Sequence, residues 1–79
     1  MRLDKFLKVS RLIKRRTVAN EACDAGRVSV NGKTAKASQD VKVGDTIEIG
    51  FGTKNVTVEV LSIQDTSKKE EAKELFKYL

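Results

Sequence analysis

Residues 1–17 read MRLDKFLKVSRLIKRRT. Leu3, Phe6 and Leu7 recur at helical spacing, with Lys5 and Lys8 on the other side of the wheel, which predicts a short amphipathic helix over residues 3–9. Asp4 falls in its first turn, where a carboxylate faces the positive end of the helix dipole. Within the first sixteen residues Arg2, Lys5, Lys8, Arg11, Lys14, Arg15 and Arg16 stand against Asp4 alone, seven minus one, or +6. The whole chain carries +5, so the rest sums to −1. The positive charge is therefore one dense patch. Such a patch is the electrostatic footprint of a nucleic-acid binder, because each cation that meets a phosphate releases condensed counterions.

Working outward, residues 10–14 read as a connector pinned inward by Leu12 and Ile13. A second helix is expected over residues 15–25. Its inner stripe is Val18, Ala19, Ala22, Cys23 and Ala25, and its outer face is Thr17, Asn20, Glu21 and Asp24. Gly26 supplies its stop. The period then changes to two. Val28 and Val30 lead into Asn31-Gly32, a strong hairpin signal, and residues 33–36 return. Residues 37–43 are irregular and Gly44-Asp45 is a turn. One strand follows with Ile47, Ile49 and Phe51 on one side. After a turn at 52–55, a longer strand places Val56, Val58 and Val60 on one face and extends toward Ile63. Ser67-Lys68-Lys69-Glu70 fits a capping box, and Ala72, Leu75, Phe76 and Leu79 continue at helical spacing. The pattern predicts an α+β fold: two N-terminal helices packed on a small antiparallel sheet, with a C-terminal helix. Residues 1–63 form the domain, and residues 64–79 a helical extension of it.

A chain of 79 residues, 39% hydrophobic and 34% charged, is one small domain. Such a domain buries about 60–65% of its unfolded surface, so its stability margin is thin. No apolar run approaches the roughly 18 residues of a membrane span, and the basic N-terminus has no apolar segment of a secretory signal. The lone Cys23 leaves no internal disulfide and no cysteine cluster for zinc, and there is no histidine. These features favour a reducing, cytoplasmic setting without metal or cofactor, and a monomer is expected. No glycine-rich phosphate loop, nucleophile with a base, or motif-bearing carboxylate pair is present, so an enzyme is not expected.

Arg11, Lys14, Arg15 and Arg16 form the strongest candidate site, at the entrance to the second helix, where free backbone N–H groups also favour an anion. Cations at that end oppose the dipole and repel one another, a cost that a polyanionic partner offsets. The alternative is a solubilising surface, which is ordinarily spread out and mixed in sign. Arg27 with Asn31, Lys33 and Lys36 frames the hairpin as a second candidate, against the alternative of a good turn with exposed strand lysines, and Asn31 reads as a turn residue first and a ligand second. Ser10 fits either a phosphate contact or a local backbone bond. Cys23, Phe6, Phe51 and Phe76 read as core. A DNA-binding helix-turn-helix is a rival, opposed by the long connector and by the acids Glu21 and Asp24 on the would-be recognition face. A second rival is a recruitment module docking an enzyme through Leu75, Phe76 and Leu79.

Three blocks, Arg2-Leu3-Asp4-Lys5-Phe6-Leu7, Arg15-Arg16-Thr17-Val18-Ala19 and Gly26-Arg27-Val28-Ser29-Val30-Asn31-Gly32, resemble in order and spacing the RNA-binding domain named after small-subunit ribosomal protein S-four. The likeness continues through Val43-Gly44-Asp45 to the long strand. Family members include appendages of pseudouridine synthases and tyrosyl-tRNA synthetases, and stand-alone proteins of two kinds, a ribosome-associated heat-shock protein and ribosome quality control factors. The run 1–17 is similar to the quality control branch, and the KKEEA segment at 68–72 is consistent with it. The resemblance implies RNA binding through the two-helix face and hairpin. The positions implied are Arg2, Arg11, Arg15, Arg16 and Arg27, then Lys5, Ser10, Lys14, Asn31, Lys33 and Lys36. It further implies a large ribosomal subunit obstructed by peptidyl-tRNA as the target. Contacts would go to large-subunit ribosomal RNA and P-site tRNA, beside the alanine-tailing factor, in support of C-terminal alanine tailing of stalled chains. The heat-shock-like alternative is recycling of subunits with blocked nascent chains.

Overall fold

A computed structural model describes residues 1–65 and 68–79. Helices α1 (Leu3–Val9) and α2 (Arg16–Asp24) precede β1 (Val28–Val30), β2 (Lys33–Thr34), β3 (Thr46–Phe51) and β4 (Lys54–Val60). A single helical turn, α3 (Lys69–Ala72), leads to β5 (Phe76–Tyr78). All five strands form one antiparallel sheet in the order β2-β1-β3-β4-β5.

The sheet has one apolar face because its strands alternate in register. Val30, Ile47 and Val58 make one cross-strand row, and Val28, Ile49 and Val56 the next. Leu3, Phe6 and Leu7 of α1 and Ala19 and Cys23 of α2 join these rows in a single buried cluster. Each large aliphatic or aromatic group so buried contributes on the order of 1.5–3 kcal/mol relative to exposure. Across the sheet, Ser29, Glu48 and Thr57 alternate outward on the polar face.

Backbone termination follows the expected chemistry at α2. Gly26 takes φ +74, its N–H donates to the Cys23 carbonyl, and the Arg27 N–H donates to that of Ala22, the two bonds of a Schellman stop. Helix α1 ends in the same left-handed way, but on Arg11, at φ 62. The Asn31-Gly32 turn has φ 53 and 84, positive at both central positions as a type I′ hairpin requires.

Several expectations are corrected. Val18 is 45% exposed and Ala25 is exposed, because only Ala19, Ala22 and Cys23 of the expected inner stripe pack on the core. Phe51 is 42% exposed, since it lies at the end of β3, opposite Lys54 and beyond the cover of the helices. The long strand stops at Val60. The C-terminal helix is one turn only, and the proposed cap at Ser67 lies outside the described residues. The chain then extends as β5, with the Leu79 N–H on the Thr57 carbonyl and the Leu61 N–H on the Leu75 carbonyl. The free edge of β4 outcompetes the local helical period: pairing satisfies its backbone groups, and a four-residue helix lacks the length to stand alone.

This ending predicts unequal roles for two leucines that a helical stripe would bury alike. Leu75, 1% exposed, should lose about 2–5 kcal/mol on change to alanine, read by urea unfolding. Leu79, 64% exposed, should lose less than about 0.5 kcal/mol. Equal losses would restore the helix.

Candidate nucleic-acid interface

The basic segment is organised around its one acid. Asp4 lies in the first turn of α1 with its side chain only 3% exposed. Its Oδ1 accepts the Lys5 backbone N–H at 2.8 Å and Arg2 Nε at 3.2 Å. Its Oδ2 accepts Arg2 Nη2 at 3.4 Å, Arg16 Nε at 3.3 Å and Asn20 Nδ2 at 3.4 Å. Arg2 is the N-cap of α1 and Arg16 the first residue of α2, so one carboxylate gathers the starts of both helices. The local backbone holds this corner in place. Leu3 N–H donates to the Gln39 carbonyl, Asp4 N–H to that of Ala37, and the N-terminal ammonium meets Asp40 Oδ1 at 2.7 Å.

Burial works to raise the Asp4 pKa. The Arg16 guanidinium, the Asn20 amide and the Lys5 N–H outweigh it and hold the carboxyl below its ordinary value. Asp4 is therefore ionised at neutral pH, and both arginines are oriented by it. Arg2 and Arg16 remain about half exposed, at 51% and 47%. Arg16 meets Asp4 through Nε, which leaves the outer fork of its guanidinium toward solvent, a geometry suited to phosphate.

Two open grooves adjoin this corner. The larger, about 620 Å³, runs between α2 and residues 34–38 and is lined by Arg2, Asn20, Asp24 and Lys36 among others. The second, about 510 Å³, shares Arg2 and Asn20 and adds Asp4, Arg16, Thr17 and Glu21. The structure thus brings Arg2, Arg16 and Lys36 to one connected surface. Arg15, the N-cap of α2, and Lys14 are exposed on the approach to it, and Arg11 is exposed at the end of α1. Arg27 is exposed after α2, where its carbonyl accepts the Gly50 N–H. Lys33 is exposed beside the hairpin turn. Lys5 meets Asp65 at 2.9 Å.

Two expected contact residues are committed elsewhere. Ser10 is 3% exposed and its hydroxyl donates to the Leu7 carbonyl at 3.2 Å, the local alternative. Asn31 donates to Asp45 Oδ1 at 3.1 Å and accepts the Thr46 N–H at 2.9 Å, so its amide ties the hairpin to the 45–46 turn. Two residues at the corner carry weight that the sequence reading did not assign them, Asp4 and Asn20. The available signal was a lone acid amid seven cations, next to the apolar stripe of α1. Cys23 is buried, and burial, aided by the charges of Asp4 and Asp24, pushes its thiol up to about 11, which fits a packing role. Among the described residues no group of His, Cys, Asp and Glu could hold a metal, and no helix is long and apolar enough to cross a membrane.

The depressed Asp4 pKa sets the sign of an acid response. Its stabilisation is complete above the unfolded value near 4 and is lost as pH falls through the lower folded value. Asp4→Asn should cost about 1–3 kcal/mol at pH 7 and flatten the acid limb of stability below about pH 5, read as urea midpoint against pH. An unchanged acid limb would remove Asp4 from the centre of this corner.

Comparison with known proteins places this geometry. Residues 1–47 match the family model described as S4 domain. The chain is 62% identical over 79 residues to a Bacillus subtilis protein named RQC P-site tRNA stabilizing factor, covering all of this chain and 92% of the relative. It is 56% identical over 79 residues to a protein of that name from Streptococcus pneumoniae, covering 90% of it. The trimeric structure of Vibrio cholerae Heat Shock Protein 15 superposes with a TM-score of 0.92 at 32% identity, over 100% of this chain and 81% of that one. The chain belongs to the S4 domain family, in the branch of the RQC P-site tRNA stabilizing factors.

Proposed function

We propose that this protein is a non-enzymatic, cytoplasmic RNA-binding factor of ribosome quality control that braces P-site tRNA against ribosomal RNA on an obstructed large subunit. The observation that carries the reading is the pair Arg2 and Arg16, drawn from two helix starts onto one buried carboxylate and half exposed on a common surface. Guanidinium groups so oriented, Arg16 through Nε alone and Arg2 through Nε and Nη2, lose little entropy on meeting a phosphate, so they can read the shape of folded RNA. The names of the relatives support tRNA in the P site as the target. Contact with large-subunit ribosomal RNA, work beside the alanine-tailing factor, support of C-terminal alanine tailing and action as a monomer extend the same reading. Arg11, Lys14, Arg15, Arg27, Lys33 and Lys36 would supply the outer phosphate contacts, and Lys5 would do so by exchanging Asp65 for phosphate.

The likeness to Heat Shock Protein 15 keeps subunit recycling as a second reading. Entry of α2 into a DNA major groove is disfavoured, because Glu21 and Asp24 are exposed on the same helix and line the grooves at its side.

If about six phosphates are neutralised, affinity for structured RNA should fall on the order of a thousandfold between 50 and 200 mM salt, measured by filter binding. A flat response would defeat the phosphate clamp. Arg15→Ala should weaken binding with unchanged thermal stability, whereas Arg16→Ala should lower both, since Arg16 also serves Asp4. On a sucrose gradient the protein should travel with large subunits carrying peptidyl-tRNA, and migration free of ribosomal particles would sink the reading.

A further inference from the structure

The groove between α2 and residues 34–38 contains more than a phosphate clamp needs. Arg2 and Lys36 supply cations, yet Asn20 and Asp24 line the same space. Asp24 forms no ion pair among the described residues, and it is the last residue of α2, at the negative end of the helix dipole. A carboxylate there repels phosphate and gains nothing from its own helix. Asn20 is fixed in orientation. Asp4 can only accept hydrogen bonds, so Asn20 turns its amino group to Asp4 at 3.4 Å and its carbonyl oxygen away. The groove therefore pairs two cations with hydrogen-bond acceptors. Its volume, about 620 Å³, lies within the range of small-ligand sites.

We propose that this groove takes one unpaired guanosine of the bound RNA. Arg2 and Lys36 hold the flanking phosphates. The two oxygens of Asp24 accept from guanine N1–H and the N2 amino group, the base edge that offers two adjacent donors, and the Asn20 carbonyl oxygen is a further acceptor nearby. Small neighbours, Gly26, Ala35 and Ala37, leave room for a flat ring. Sequence-specific readers of RNA address such splayed-out bases, since paired ones hide their edges. This inference rests on the RNA-binding reading above and adds base selectivity to it.

The test uses the full chain and fluorescein-labelled RNA hairpins that are fully paired or carry one bulged G, A, C, U or inosine, read by anisotropy. The bulged-G hairpin should bind roughly tenfold or more tighter than the paired one, with inosine, which lacks the N2 amino group, in between. Asp24→Ala should weaken bulged-G binding by a similar factor and slightly tighten binding of the paired hairpin, because a repelling charge is gone. Asp24→Asn, which keeps the shape but not the twin acceptors, should also abolish the preference for G. If Asp24→Ala tightens all hairpins alike, or the bulged base makes no difference, the base site is wrong while the phosphate clamp stands. If no hairpin binds with salt dependence, the clamp and the base site fall together.

Discussion

One buried carboxylate holds the two-helix corner together. Asp4 accepts from Arg2, Lys5, Arg16 and Asn20, and through them it fixes the angle at which the starts of α1 and α2 meet. Six net positive charges packed into sixteen residues would otherwise drive this segment apart. A single anion at their centre cannot neutralise the patch, but it can orient it. The arginines that touch Asp4 are half exposed, so the ion pairs are partly screened, and their value lies in geometry more than in net stability.

The surrounding structure carries several features that a sequence selected for stability alone would shed. Arg15 and Arg16 stand at the positive end of α2 and Asp24 at its negative end, so the helix is charged against its dipole at both termini, each at a cost of roughly 0.3–1 kcal/mol. Arg11 occupies a left-handed position where glycine would be unstrained, at a further cost on the order of 1–2 kcal/mol. A thin margin in a 79-residue domain makes these costs significant. A polyanionic partner would offset the cationic ones.

Much of the architecture was legible in local chemistry. The stripe of Leu3, Phe6 and Leu7 placed α1, Gly26 stopped α2, and Asn31-Gly32 made its hairpin, because each of these depends on neighbours along the chain. The positive patch was legible for the same reason: charge counts need no fold. Reading failed where distant segments compete. Val18 fits an apolar stripe on a wheel, but it is left 45% exposed while Ala19, Ala22 and Cys23 pack on the core. Phe51 keeps the strand period, yet the core ends before it. Ser10 and Asn31 are the reverse case: the local and turn roles that the sequence already favoured are the ones the fold uses, Ser10 on the Leu7 carbonyl and Asn31 on Asp45 and Thr46.

The sequence by itself therefore determined the element order from α1 to β4, the helix and hairpin stops, and the location of the charge, all of which arise from spacing within a few residues. Tertiary structure decided the rest. It turned the expected terminal helix into β5, because the open backbone edge of β4 offered hydrogen bonds that a lone helical turn could not match. It made Asp4 the hub of Arg2, Arg16 and Asn20, and it set Lys36 and Asp24 in the lining of one groove with Arg2 and Asn20. Apart from the Arg2–Asp4 pair, these contacts join residues twelve or more positions apart and leave no periodic trace in a sequence, since only the folded chain brings them within bonding distance.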